Sequence, residues 1–224
     1  MPAQSALRSK NGLYNVHPSV KLVMDWASSL KVKTGRLLEE WITEVKKSGP
    51  GDTEARRKWL KDKHGLGTNG AWWIVDRAEG RGEEDQNPDA YLRAAEGWVE
   101  EMFSARKAGL RPIYDRLLKT GMGLGKDVRV CPCKTIVPLY REHVFAQLKP
   151  STNSRLDLGL CLRGVKPTSR LISTGGEAKG DRITHRIAIT SLDEIDDEVE
   201  RWMKRAYSLA EKARPRAGDI SLRE

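Results

Sequence analysis

Cysteine is scarce and odd in number. The 224 residues hold three, at 131, 133 and 161. That gives no even set for a disulfide framework and fits a reducing compartment. Aromatic residues are also few, 6% of the chain, and only two are phenylalanine. Tryptophan is the exception, with seven residues, most of them in the first half. Long apolar runs are missing, for none approaches the ~20 residues that span a bilayer. The opening MPAQSALRSKNGLYNVHPS lacks the apolar core of a secretory signal. The expected location is cytoplasmic, with no membrane partner. No GxSxG, Walker-type GKS or HExxH occurs, which leaves the common hydrolase, nucleotide-phosphate and zinc-protease signatures without a match.

Positive charge, by contrast, is plentiful and unevenly placed. Residues 1–82 carry 15 Lys and Arg against 9 acids, and residues 126–192 carry 12 against 5. Residues 83–125 and 193–224 are each slightly acidic, leaving the chain at +9. Two separated basic blocks suit polyanionic partners, and they equally suit plain solubility.

Periodicity divides the chain. HPSVKLVMDWASSL, TGRLLEEWITEVKKSGPGD, DTEARRKWLKDKHGLG and TNGAWWIVDRAEG each space their apolar residues as helices do, with Pro18 at one start, Asp52 or Thr53 as a cap, and glycines as stops. The polar EGRGEEDQNPDA (79–90) reads as a boundary, with Pro88 opening the next helix. Residues 1–82 are therefore expected as a small helical module, 88–213 as an α+β module, and 214–224 as a tail. Past one or two helices broken near Gly109 to Pro112, the period changes to two. Four strands are expected, near 127–136, 139–149, 155–163 and 183–190, forming a mainly antiparallel sheet with helices on one face. The stretch GVKPTSRLISTGGEAKGD is long for a turn and reads as a loop or a short edge element. A last helix follows, with Ser191 as its cap and Ile195, Val199, Trp202, Ala206 and Leu209 as its stripe.

Strict alternation in REHVFAQLKP places Val144, Ala146 and Leu148 on the core side. Arg141, His143, Phe145, Gln147 and Lys149 then face outward. Arg155, Asp157, Cys161, Arg163, Arg182, Thr184 and Arg186 share that face. A basic surface with one aromatic ring suits single-stranded nucleic acid, held by stacking and phosphate contacts. A solvated face, or one covered by another domain or a second subunit with Phe145 as anchor, is the competing reading.

Long motifs carry a family resemblance. KTGRLLEEWITEVKKSG with WLKDKHGLGTNGAWWIVDRA resembles a small bacterial domain of unknown function, of the 4287 type. LRPIYDRLL, CPCKTIVPLYREHVFAQLKPSTNSRLDLGL and DRITHRIAITSLDEIDDEVERWMKRAY resemble a second such family, of the 5655 type, often fused to the first. The second half is also similar to the MmcQ/YjbR type, a compact α/β fold. The resemblance implies the domain layout and supplies no catalytic residues.

KWLKDKHGLGTNGAWWIVDRA also has the rhythm of a helix-turn-helix. In that reading Thr68 and Asn69 meet DNA, while Arg56, Arg57, Lys58, Lys61 and Lys63 sit on phosphates. Adjacent Trp72 and Trp73 are unusual for a groove-reading helix, so at least one is expected in a core with Trp41 and Trp59. Cys131 and Cys133 have a single-residue spacer, shorter than zinc sites use, and are expected as half-buried thiols without metal. His143, Asp157 and His185 form a conceivable acid–base set. However, His185 shares the parity of Ile183 and Ile187 and is expected to point into the core, while Asp157 is expected to pair with Arg141 or Arg155. The reading is thus a binding protein with no cofactor and no catalytic residues. Its expected partner is nucleic acid, single-stranded or duplex. The alternative is a stress-related module whose sheet face takes a small molecule, a protein partner or a second copy.

Overall fold

A computed structural model describes residue 9 and residues 12–212; the expected tail, 214–224, lies outside the described residues. Val16–Leu92 form a helical unit, while the residues from Arg93 onward, with the stretch ending at Asn15, form an α+β unit. Among the described residues no helix is long and apolar enough to cross a membrane.

Four helices build the first unit: α1 (Pro18–Thr34), α2 (Leu38–Ser48), α3 (Thr53–His64) and α4 (Thr68–Ala78). Their ends follow local chemistry. Pro18 starts α1 with the His17 ring accepting from the Ser19 amide, and Asp52 caps α3 by accepting from the Ala55 amide. Gly35 and Gly65 end α1 and α3 in the left-handed conformation that only glycine enters cheaply. At α4 the cap is Gly67, without a side-chain bond, and Thr68 and Asn69 form the first turn instead. The core gathers Leu30, Leu38, Trp41, Val45, Leu60, Ile74 and Val75. Each such buried aliphatic contributes roughly 1.5–3 kcal/mol over an exposed one.

Helix α5 (Pro88–Met102) carries the chain from one unit into the other, and α6 (Arg111–Met122) follows. The sheet then forms from β1 (Arg129–Val130), β2 (Val137–Tyr140), β3 (Val144–Pro150), β4 (Leu156–Leu160), β5 (Ile172–Ser173) and β6 (His185–Ile189). The four-residue α7 (Gly176–Lys179) lies between β5 and β6, and α8 (Asp197–Lys212) ends the described fold. Strand order is β1-β2-β3-β4-β6-β5, and every neighbouring pair is antiparallel.

The sheet therefore has six strands where four were expected. The run 139–149 is two strands, because Arg141–His143 make a tight turn in which the Arg141 amide donates to the His143 carbonyl at 2.9 Å. That turn contains no glycine, proline or asparagine, so it carries no composition signal. The other addition, β5, is a two-residue edge strand inside the long GVKPTSRLISTGGEAKGD connection. Ser191 likewise opens a 3-10 turn (Leu192–Glu194), and Asp196 caps α8 itself through the Glu198 and Val199 amides.

One sheet face is apolar and fully buried: Leu139, Ala146, Leu148, Leu156, Leu158, Leu160, Ile187 and Ile189. Helix α8 packs over β3 and β4 with Val199, Met203 and Ala206. Gly121 lets α6 approach, since a Cβ there would collide with the Leu139 side chain and press on Met203. At the other end, Asn15 joins the sheet by exchanging hydrogen bonds with Val130, 2.7 Å from its amide and 3.1 Å to its side-chain oxygen.

Candidate nucleic-acid interface

Phe145 is where the expected site departs most from the structure. Its ring is fully buried rather than outward. The reason is a β-bulge: Leu139 pairs with Ala146 and Tyr140 with Val144, so Phe145 is the extra residue on β3. A bulge sets two successive side chains toward the same side and interrupts the period of two. Phe145 and Ala146 are accordingly both buried. The ring meets Tyr207 of α8 edge-on, with centroids 5.6 Å apart.

Arg141 turns the same way. Its guanidinium lies 4.4 Å from the Tyr207 ring centroid, and its Nε donates to Asp127 at 2.7 Å. Tyr207 donates its hydroxyl to the same carboxylate at 2.5 Å. These two partners, the tyrosine hydroxyl first, hold the Asp127 carboxyl below its ordinary range. A side chain at Gly125 would collide with the Tyr207 hydroxyl. Arg141 and Phe145 thus belong to a structural cluster with α8, and His143 sits half-buried in the adjoining turn.

From Gln147 onward the alternation holds, and an outer face emerges. Gln147 lies half-buried over Gly159, where a Cβ would be only 2.8 Å from Gln147 Cγ and Ile183 Cγ2. Lys149 is exposed, in register with Asp157, and makes no ion pair among the described residues. Asp157 is 14% exposed and gathers three donors. Arg155 donates through Nη2 at 3.4 Å, with its Nε 3.0 Å away as an ion pair, Arg186 donates through Nη1 at 3.3 Å, and Ser151 donates its hydroxyl at 2.6 Å. Both guanidiniums remain about one-third exposed, at 37% and 33%. Arg163 is exposed too, but it donates to the Gly180 and Asp181 carbonyls at the end of α7.

The helical unit divides its expected residues similarly. Arg57 is only 16% exposed and is bound to Glu54 at 2.6 Å and Asp76 at 3.2 Å. It is therefore not free to sit on a phosphate, and Arg56, bound to Glu79 at 3.0 Å, and Lys58, paired with Asp62, are likewise engaged. Lys61, Thr68 and Asn69 are exposed. Trp41 and Trp59 pack edge-on against His64. Trp73 packs on Trp26 at 4.9 Å, and Trp72 is 49% exposed.

Sequence reasoning missed two rings. Tyr140 lies on the outer face with the Arg129 guanidinium 5.9 Å from its centroid, and burial pushes its hydroxyl up to about 12. Its signal was the alternation that turns Val137 and Leu139 inward and Tyr140 outward, in a run divided from β3 only by the unmarked turn. Trp72 is the other.

Two family models match the chain. A domain of unknown function (DUF5655) covers residues 99–210, and another (DUF4287) covers residues 26–80. The first spans half of the chain. The chain belongs to the DUF5655 family. Comparison with curated proteins found no match, and comparison with solved structures found none.

Within the DUF5655 segment Cys131 and His185 are buried, while Cys133, Cys161 and His143 are half-buried. Burial pushes the Cys131 thiol up to about 12 and raises those of Cys133 and Cys161, so thiolate chemistry at neutral pH is disfavoured. Among the described residues no group of three His, Cys, Asp or Glu is placed to hold a metal. His185 is buried opposite Leu160, as its parity indicated. The Thr184 hydroxyl accepts from the Leu162 amide at 3.0 Å and shares a hydrogen bond with His185 Nδ1 at 2.9 Å. Nε2, buried as well, has no hydrogen-bond partner among the described residues. His185, buried inward on β6, is thus separated from Asp157 on the outer face, and the two do not form an acid–base pair.

Proposed function

We propose that this DUF5655 protein is a non-enzymatic nucleic-acid-binding accessory protein, and that the outer sheet face contacts the phosphate backbone. The reading rests on one observation: Arg155 and Arg186 share a single carboxylate, Asp157, and the unpaired Lys149 stands in register with it on the face opposite the one α8 covers. Such an excess of cations attracts a polyanion and releases its counterions on binding. Gln147 adds an amide beside them. Phe145 plays no part, and neither does Arg141. The mode is phosphate contact by a rigid strand surface rather than base stacking on the sheet. A cytoplasmic or nucleoid setting fits this role.

Lys149→Ala tests it. The side chain is exposed and unpaired, so the variant should fold as the wild type does. Its affinity for single-stranded oligonucleotide should fall, and the slope of log affinity against log salt should shrink by about 0.7, one phosphate contact on a single strand. A slope equal to that of the wild type would remove Lys149 from the interface.

A further inference from the structure

Trp72 is half exposed although indole is the largest of side chains, while its neighbour Trp73 is packed on Trp26. Exposure here does not mean a loose ring. The Arg57 guanidinium lies 4.6 Å from the Trp72 centroid. Arg57 is itself fixed by Glu54 on its own helix and Asp76 on α4. One part of the indole is therefore backed by a tethered cation, and the remainder is open. A ring already held in place loses little rotamer freedom when a flat partner settles on it. Aromatic residues of this kind dominate binding energy where they are used.

The surroundings fit a particular partner. Asn69 and Thr68 precede Trp72 by three and four residues on α4 and so share its face, both exposed. Lys61 stands one turn beyond Arg57 on α3, exposed and without an ion pair among the described residues. An aromatic plane, two hydrogen-bonding side chains and a free ammonium match a base together with its phosphate. In a duplex the base faces are already stacked, so only an unpaired base can use the plane.

The geometry points to Trp72 as a stacking platform for single-stranded nucleic acid, with Asn69 and Thr68 beside the base and Lys61 on the phosphate. This rests on the nucleic-acid reading above but uses a different surface, in the helical unit. It also gives the adjacent tryptophans separate roles, one in packing and one in binding.

The test measures fluorescence anisotropy with two labelled probes, an oligodeoxythymidine and an abasic strand of equal length and charge. Wild type, Trp72→Ala, Trp72→Phe and Lys149→Ala are compared, with circular dichroism confirming that each is folded. Trp72→Ala should weaken oligodeoxythymidine binding about ten- to hundredfold, the range for one lost stack, and leave abasic binding unchanged. Trp72→Phe should keep most of the affinity. Lys149→Ala should weaken both probes. If Trp72→Ala binds oligodeoxythymidine as the wild type does, or weakens both probes equally, the platform is wrong while the sheet-face reading stands on Lys149. If the wild type binds neither probe, both readings fall.

Discussion

Phe145→Ala should cost about 3–5 kcal/mol of unfolding free energy, the range for truncating a buried aromatic. The ring has no solvent exposure and touches Tyr207 of α8, while α8 itself covers β3. Removing it leaves a cavity beneath the Arg141–Asp127–Tyr207 cluster, which cannot close without moving the bulge. Urea denaturation monitored by circular dichroism would measure the loss as a lower midpoint. A cost below about 1 kcal/mol, typical of surface positions, would mean that the bulge is misplaced and the ring faces outward.

Asp157→Asn should move stability and binding in opposite directions. The carboxylate holds Arg155, Arg186 and Ser151, and asparagine keeps the shape and the serine contact without the charge. Because both guanidiniums are about one-third exposed, the stability loss should be modest, about 1 kcal/mol. Two arginines are then released toward solvent. Affinity for a single strand should rise, and the salt slope should steepen by about 0.7 for each arginine that gains a phosphate. If affinity instead falls or stays level while stability drops, the Arg155–Asp157–Arg186 group serves the fold alone.

How far the sequence could be read follows from what each element depends on. The helices of the first unit were legible because their signals are local: Pro18, Gly49, Asp52 and Gly65 act within one turn of the chain. The inward set was legible where leucine and isoleucine alternate, at Leu156–Leu160 and at Ile187 and Ile189. The alternation breaks just before β6, where Thr184, expected outward, is buried beside His185 and Ile183, expected inward, lies beside Gln147. Phe145 was not, because a bulge is set by pairing with a neighbouring strand and leaves a parity error with no mark in composition. Arg141 failed with it, since its place depended on the same parity and on a turn without glycine. Asp157 was read as a partner of Arg141 or Arg155; Arg155 takes that place while Arg141 pairs with Asp127, and Asp157 is also the hub for Arg186 and Ser151, which was not foreseen. Trp72 stayed hidden for a different reason. Two adjacent tryptophans look like core material, and only the tertiary approach of Arg57 separates the exposed one from the packed one.

The central claim is that this protein holds nucleic acid by phosphate contacts, and salt tests it most directly. Wild-type affinity for a single-stranded oligonucleotide should be measured across a range of salt concentrations. Three outer-face cations less one carboxylate leave about two phosphate contacts, so log affinity should fall linearly with log salt at a slope of about −1.4 or steeper. A flat slope, or no binding at low salt, would contradict the account.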